Sequence, residues 1–165
     1  MDTKTIIVTL VTDRTQADVE RVRELAAKGF SAMTSDEQAE WLAGMKGAYN
    51  AADLNRVGTA LNYLAARLSS ICGRSIAWTA KTDCAVTDII TASQAAEYRR
   101  QIQDIRDALA YPAGTPDAPE LGRLTYTDAN NIERILKLCE DLIVNVAKSF
   151  RHTGAAECAA GGLLT

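Results

Sequence analysis

The side chains of this chain that could do chemistry are few and scattered. Four cysteines stand at positions 72, 84, 139 and 158, and His152 is the only histidine. A zinc site needs about four N, S or O ligands converging on one point, and no C-x-x-C pair or Cys/His cluster provides that spacing. The thiols read as reduced side chains, with Cys72 and Cys139 as small core residues on helices. A Cys158–His152 nucleophile would lie in a Gly/Ala-rich stretch with no rigid frame to aim it. The glycines form neither G-x-G-x-x-G nor G-x-x-x-x-G-K-[ST], and no G-x-S-x-G is present. Carboxylates are plentiful, but they lie beside arginines on amphipathic faces, where ion pairing is their ordinary use. Of the two tryptophans, Trp41 reads as core packing, and Trp78 as either core or interface. These residues point to no catalytic group, metal, cofactor or small-molecule ligand.

Composition agrees with a folded chain that works without such groups. The 165 residues suffice for one domain, and 47% of them are hydrophobic against 24% charged. A net charge of −3 argues against gripping a phosphate backbone, so nucleic acid is not the expected partner. No apolar run approaches the ~18 residues of a membrane span. The start, Met1-Asp2-Thr3-Lys4, lacks the basic region and long apolar core of a signal peptide, which implies synthesis in the cytoplasm.

The elements that must position any functional surface follow from periodicity. The run TIIVTLVT, Thr5 to Thr12, is dense in β-branched residues and predicts a strand. Thr15 with Asp18, and Thr34 with Glu37, have capping-box spacing and start two short helices. Leu54, Val57, Leu61, Leu64, Leu68 and Ile71 alternate three and four apart and predict a helix from about Asn50 to Ser70, ending near Gly73. Gly58 inside it suits either close approach of a neighbouring helix or a tolerated surface position. Residues 74–90 read as a short strand or an ordered crossover. A helix from about Ala92 to Ala110 carries Tyr98, Ile102, Ile105 and Leu109 on one face and mixed charges on the other. All three prolines fall between Tyr111 and Glu120, a rigid connector. A last helix from about Thr127 to Phe150 has the stripe Ile132, Ile135, Cys139, Leu142 and Val146, with Glu133–Lys137 as an i,i+4 pair. The residues beyond are small and glycine-rich and predict a disordered tail.

An internal echo links two helix starts. Tyr49 precedes Asp53-Leu54-Asn55-Arg56-Val57, and Tyr126 precedes Asn130-Asn131-Ile132-Glu133-Arg134-Ile135. The echo predicts that these two helices pack with related geometry.

The run GAYNAADLNRVGTALNYLAARL (Gly47 to Leu68), with DRTQADVERV and MTSDEQAEWLAGMKG before it, resembles a helical domain recurrent in tail and baseplate-region proteins of phages and prophages of Gram-positive gut bacteria. The pieces WTAKTD (Trp78 to Asp83), YRRQIQDIRDAL, AGTPDAPE and LTYTDANNIERIL extend the resemblance over residues 13–150. It implies a non-enzymatic virion component, acting through copies of itself and other virion proteins. The cysteines and the loose Gly/Ala ending depart from the pattern, and with no separate receptor-binding domain the resemblance favours a structural or connecting role.

The expected architecture is all-α, a four- to five-helix bundle over residues 13–150, with an N-terminal β-arm at 1–12 and a C-terminal tail at 151–165. The expected interface residues are Ile6, Val8 and Leu10, or their alternates Ile7 and Val11, together with Trp78 and the end of the chain from Phe150 through His152. Two other functions stay open: a helical module regulating a host protein or nucleic acid, and a small cell-wall hydrolase.

Overall fold

Capping chemistry sets most of the helix starts. Thr15 with Asp18, Thr34 with Glu37, Asn50 with Asp53 and Thr91 with Gln94 each close a reciprocal capping box. A computed structural model describes the backbone of residues 5–161 and the side chains of residues 5–150. Among the described residues are α1 (Thr5–Val8), α2 (Gln16–Lys28), α3 (Ser35–Ala43), α4 (Ala51–Cys72), α5 (Ala92–Asp107) and α6 (Tyr126–Gly161), with 3-10 turns at Phe30–Ala32 and Leu121–Arg123. The fold is all-α. Gly73 ends α4 in the left-handed region at φ 64°, where a side chain would be strained.

The N-terminal β-arm is not there among the described residues. Thr5–Val8 form one helical turn, and residues 9–14 continue without regular structure. A strand needs a partner for its backbone groups, and here local bonds replace one: the Thr9 and Leu10 N–H groups donate to the Ile6 and Ile7 carbonyls. Leu10 is 4% exposed, and Ile6 and Ile7 pack against the core. Burial within the chain thus uses the apolar side chains that the sequence offered to a neighbour.

Helices α4, α5 and α6 lie together and run in the same direction. Arg56 pairs with Glu133 and Tyr63 with Glu140, both at a separation of 77 residues, so α4 and α6 rise side by side in parallel. That separation is also the one between Tyr49 and Tyr126, so the echoed segments sit level in the bundle. The start of α5 lies at the same end, because the Tyr98 hydroxyl meets that of Tyr49 at 2.7 Å. Further along α5, Asp104 accepts from the Trp78 indole N–H at 2.8 Å.

Consecutive parallel helices require the chain to travel back each time. At about 1.5 Å per residue the 22-residue α4 is about 33 Å long, and residues 73–91 cover that return without helix, turning at 86–87. The segment descends along α4: Asn62 brackets the Ala80 backbone, accepting its N–H at 2.7 Å and donating to its carbonyl at 2.9 Å, and Asn55 does the same to Cys84. After α5, residues 108–125 descend along α5. Gln103 accepts the Ala118 N–H, Arg99 donates to the Ala118 carbonyl, and Arg106 donates to those of Pro116 and Thr115.

A third such strap lies on α6. Asn130 accepts the Arg14 N–H and donates to the Arg14 carbonyl, both at 2.9 Å. The Val11 N–H donates to Glu133, so residues 11–14 descend along α6 as the others descend along α4 and α5. Each strap contributes one buried apolar residue: Leu10, Ala80 and Ala118. Helix side chains thereby satisfy backbone groups that a sheet would otherwise pair.

Between the helices, Val57, Leu61, Leu64, Leu68, Ile102, Ile105, Ile132, Ile135, Leu136, Cys139 and Ile143 are fully buried. On α6 the core arc takes in Leu136 and Ile143, while the expected Leu142 and Val146 are half-buried. A helix flanked by both α4 and α5 buries a wider arc than an a/d seam. Gly58 is a close-approach position: a Cβ there would collide with the Lys81 carbonyl, the backbone of the strap rather than of a helix. Helix α6 continues to Gly161, through residues expected to be a disordered tail. Alanines at 155, 156, 159 and 160 favour propagation from a helix already formed.

Candidate functional site

The most concentrated chemistry among the described residues is a buried group of charges at the start of the bundle. Arg14, on the α6 strap, is 4% exposed, and its Nη2 donates to Asp53 at 2.8 Å and Glu133 at 2.6 Å. Its Nη1 caps the Val11 carbonyl at 2.8 Å. Arg56 donates to Glu133 at 2.8 Å and also reaches Asp53. Asp53 additionally accepts the Asn50 N–H in its capping box, so the helix start and the ion cluster share one carboxylate. The ring of Tyr49 lies 5.5 Å from the Arg14 guanidinium, and burial raises the Tyr49 and Tyr98 hydroxyls above the usual tyrosine range.

Two guanidinium groups face two carboxylates, so the cluster is neutral as a unit. Removing charges from water is costly unless the partners and hydrogen bonds compensate, and here Glu133, with no exposed surface, accepts from Arg14, Arg56 and the Val11 backbone. The arrangement holds a strap; both carboxylates are already engaged. A second pair lies further along the seam, where Glu140 meets Arg67 at 2.9 Å and Tyr63. Burial raises the Glu140 carboxyl despite Arg67.

Beside the cluster, and sharing Tyr98 with it, is a cleft of about 590 Å³. The start of α4 supplies Leu54, the strap supplies Asp88, Ile89 and Ile90, and α5 supplies Glu97 and Tyr98. The Ala85 N–H and Lys81 hold Asp88 below the usual carboxylate range, and Arg100 does the same for Glu97. Neither acid is therefore kept protonated near neutral pH, as a general acid would be. On the same segment Val86 is 93% exposed, and Ile89, which lines the cleft, is 90% exposed.

The residues expected at interfaces divide into two groups. Ile6, Ile7, Leu10 and Trp78 pack against the chain's own core, and the Val11 N–H is tied to Glu133. Val8 and Phe150 face solvent, and the side chain of His152 lies outside the described residues. Glu133 pairs with Arg14 and Arg56 rather than with Lys137. On α5 the mixed-charge face is only half a solvated surface: Arg100 pairs with Glu97 and Asp104, whereas Arg99 and Arg106 hold the strap. Sequence reasoning missed Arg14 and Glu133 as a pair. The available signal was Glu133 standing between Ile132 and Ile135 beside an apolar stripe, a place where a solvated acid is out of keeping.

The described residues include no cluster suited to a metal and no helix long and apolar enough to cross a membrane. Comparison with protein-family profiles, with curated proteins and with solved structures finds no match to this chain.

Proposed function

We propose that this chain is a non-enzymatic structural protein of a phage tail or baseplate region, working through repeated contacts with copies of itself and with other virion proteins. The observation that carries the reading is the apolar rim at 86–90, where Val86 and Ile89 stand almost fully in solvent on a segment anchored by Asn55 and Asn62. Aliphatic side chains held out on a fixed backbone form a contact surface whose ordering cost is already met by the fold. The resemblance of residues 13–150 to phage tail-region proteins supports the kind of assembly. The buried charges serve the fold, which agrees with a protein whose work is at its surface.

Light scattering tests this on the full chain and on a Val86→Ser, Ile89→Ser double variant. The expected result is association of the parent with rising concentration, weakened in the variant while its helical signal is retained. A parent that stays monomeric, or a variant that associates equally, overturns the role of the rim. The cleft supports a second reading, a module binding one partner segment, and a strictly monomeric parent favours it.

A further inference from the structure

The three straps differ in how they connect to the helix beneath them. On α4 and α5 the strap is the segment that leaves that helix, so it folds back on its own neighbour in sequence. On α6 the strap comes from the other end of the chain, with contacts spanning 116 to 122 residues. The α6 seat is therefore filled by a segment not tethered to α6. It is also the selective seat: with Asp53 and Glu133 facing only Arg56, it stays one positive charge short until Arg14 arrives.

The connection from this strap to α4 is a peripheral hairpin, α2 with α3, whose buried side chains reduce to Leu25 and Met33. Its partners across the hairpin are exposed ion pairs, Arg21–Glu40 and Lys28–Glu37. The hairpin closes at a neck, where Lys46 meets Asp13 at 2.9 Å and Gly47 lies against the Asp18 carbonyl. That ion pair is exposed and worth little. The close backbone approach depends on glycine, since a Cβ at position 47 would collide with Asp18. Gly44, at φ 88°, ends α3 just before it.

We propose that residues 5–43 exchange between two copies of this chain, the strap of each filling the α6 seat of the other, with residues 44–47 opening as the hinge. Every contact of Leu10, Val11 and Arg14 is remade in the exchanged pair, and what changes is the exposed neck. Such an exchange is a low-cost route to a dimer, driven by concentration. The inference rests on the reading that copies of this chain contact one another, and it names how two of them do so.

The test uses full chains. Gly47→Ala cannot close the neck within one copy, so light scattering over about a hundredfold range of concentration is expected to show dimer dissociation at least about tenfold weaker than in the parent. In parallel, Arg14→Ala and Glu133→Ala chains are unfolded, mixed in equal amounts and refolded. The strap of the second then meets the intact seat of the first, and native mass spectrometry is expected to show the mixed dimer well above the half share that random pairing gives. This pairing decides the matter even if Gly47→Ala does not fold. A folded Gly47→Ala chain with the parent's monomer fraction, or a mixed dimer no more abundant than random pairing gives, overturns the exchange. Should the parent associate regardless, through a surface weakened by Val86→Ser and Ile89→Ser, the copy-to-copy reading stands and only the exchange falls.

Discussion

The strap against α4 is fixed by two neutral amides, Asn55 and Asn62, whereas the strap against α6 is fixed by Asn130 together with Arg14, Asp53, Arg56 and Glu133. Both satisfy backbone groups that have no sheet to join. An amide bracket reads only N–H and C=O, so it accepts almost any residue. The charged seat reads a side chain: it demands a guanidinium at one position and leaves a buried carboxylate uncompensated without it. The sequence-local strap therefore needs only anchoring, while the long-range strap carries its own address.

The strongest way to break this comparison is Arg14→Ala. Removing one member of a buried pair costs about 3–5 kcal/mol, so denaturant unfolding is expected to show a loss of that size; a loss below about 1 kcal/mol would place the charged seat level with an exposed pair. Asn62→Ala comes next. It leaves the N–H and C=O of Ala80, a residue 4% exposed, without their partner, at about 1–3 kcal/mol. Asn55→Ala is expected to cost less, because Cys84 is only part-buried and water can reach its backbone.

High pH probes the shared core beneath both straps. Burial raises the Cys139 thiol from 9.0 to about 11 and lifts the Tyr49, Tyr98 and Tyr111 hydroxyls above 10.0. Groups whose folded pKa is raised hold their proton more tightly in the folded chain, so their contribution is full below the unfolded value and is lost as pH rises through the folded one. The thermal unfolding midpoint is expected to fall from about pH 9 upward. Alkylation at pH 8 should then mark Cys84 and Cys72 well before Cys139. The smallest effect is at the neck, where Lys46→Ala removes an exposed pair and is expected to change stability by less than about 1 kcal/mol.

What was legible in the sequence follows the range of the interaction. The boxes at Thr15 and Thr34 and the stop at Gly73 involve residues within a turn of one another, and they stand where spacing placed them. The α4 stripe is buried from Leu54 to Leu68, because a 3.6-residue period already defines one face. The β-branched run at 5–12 misled for the same reason in reverse. Strand propensity describes how side chains fit a pleated surface, and whether such a surface exists is decided by partners elsewhere in the chain.

The candidate surfaces were less legible. Trp78 gave no local sign that it would sit beside Asp104, and the exposure of Val86 and Ile89 depends on where Asn55 and Asn62 hold the strap. Gly58 left open close approach of a helix or a tolerated surface position, and only the fold shows a carbonyl from residue 81 there.

By itself, then, the sequence determined a helical bundle, the starts of α2 to α6 and most of the apolar faces, but not the helical turn at Thr5–Val8, since what it determined is set by neighbours within about one or two turns. Only the tertiary structure decided that α4, α5 and α6 run parallel, that extended straps return along them, and that Arg14 is drawn into a seat between Asp53 and Glu133. Those features join residues dozens of positions apart, where burial and charge compensation act on the whole chain at once and no local pattern records the outcome.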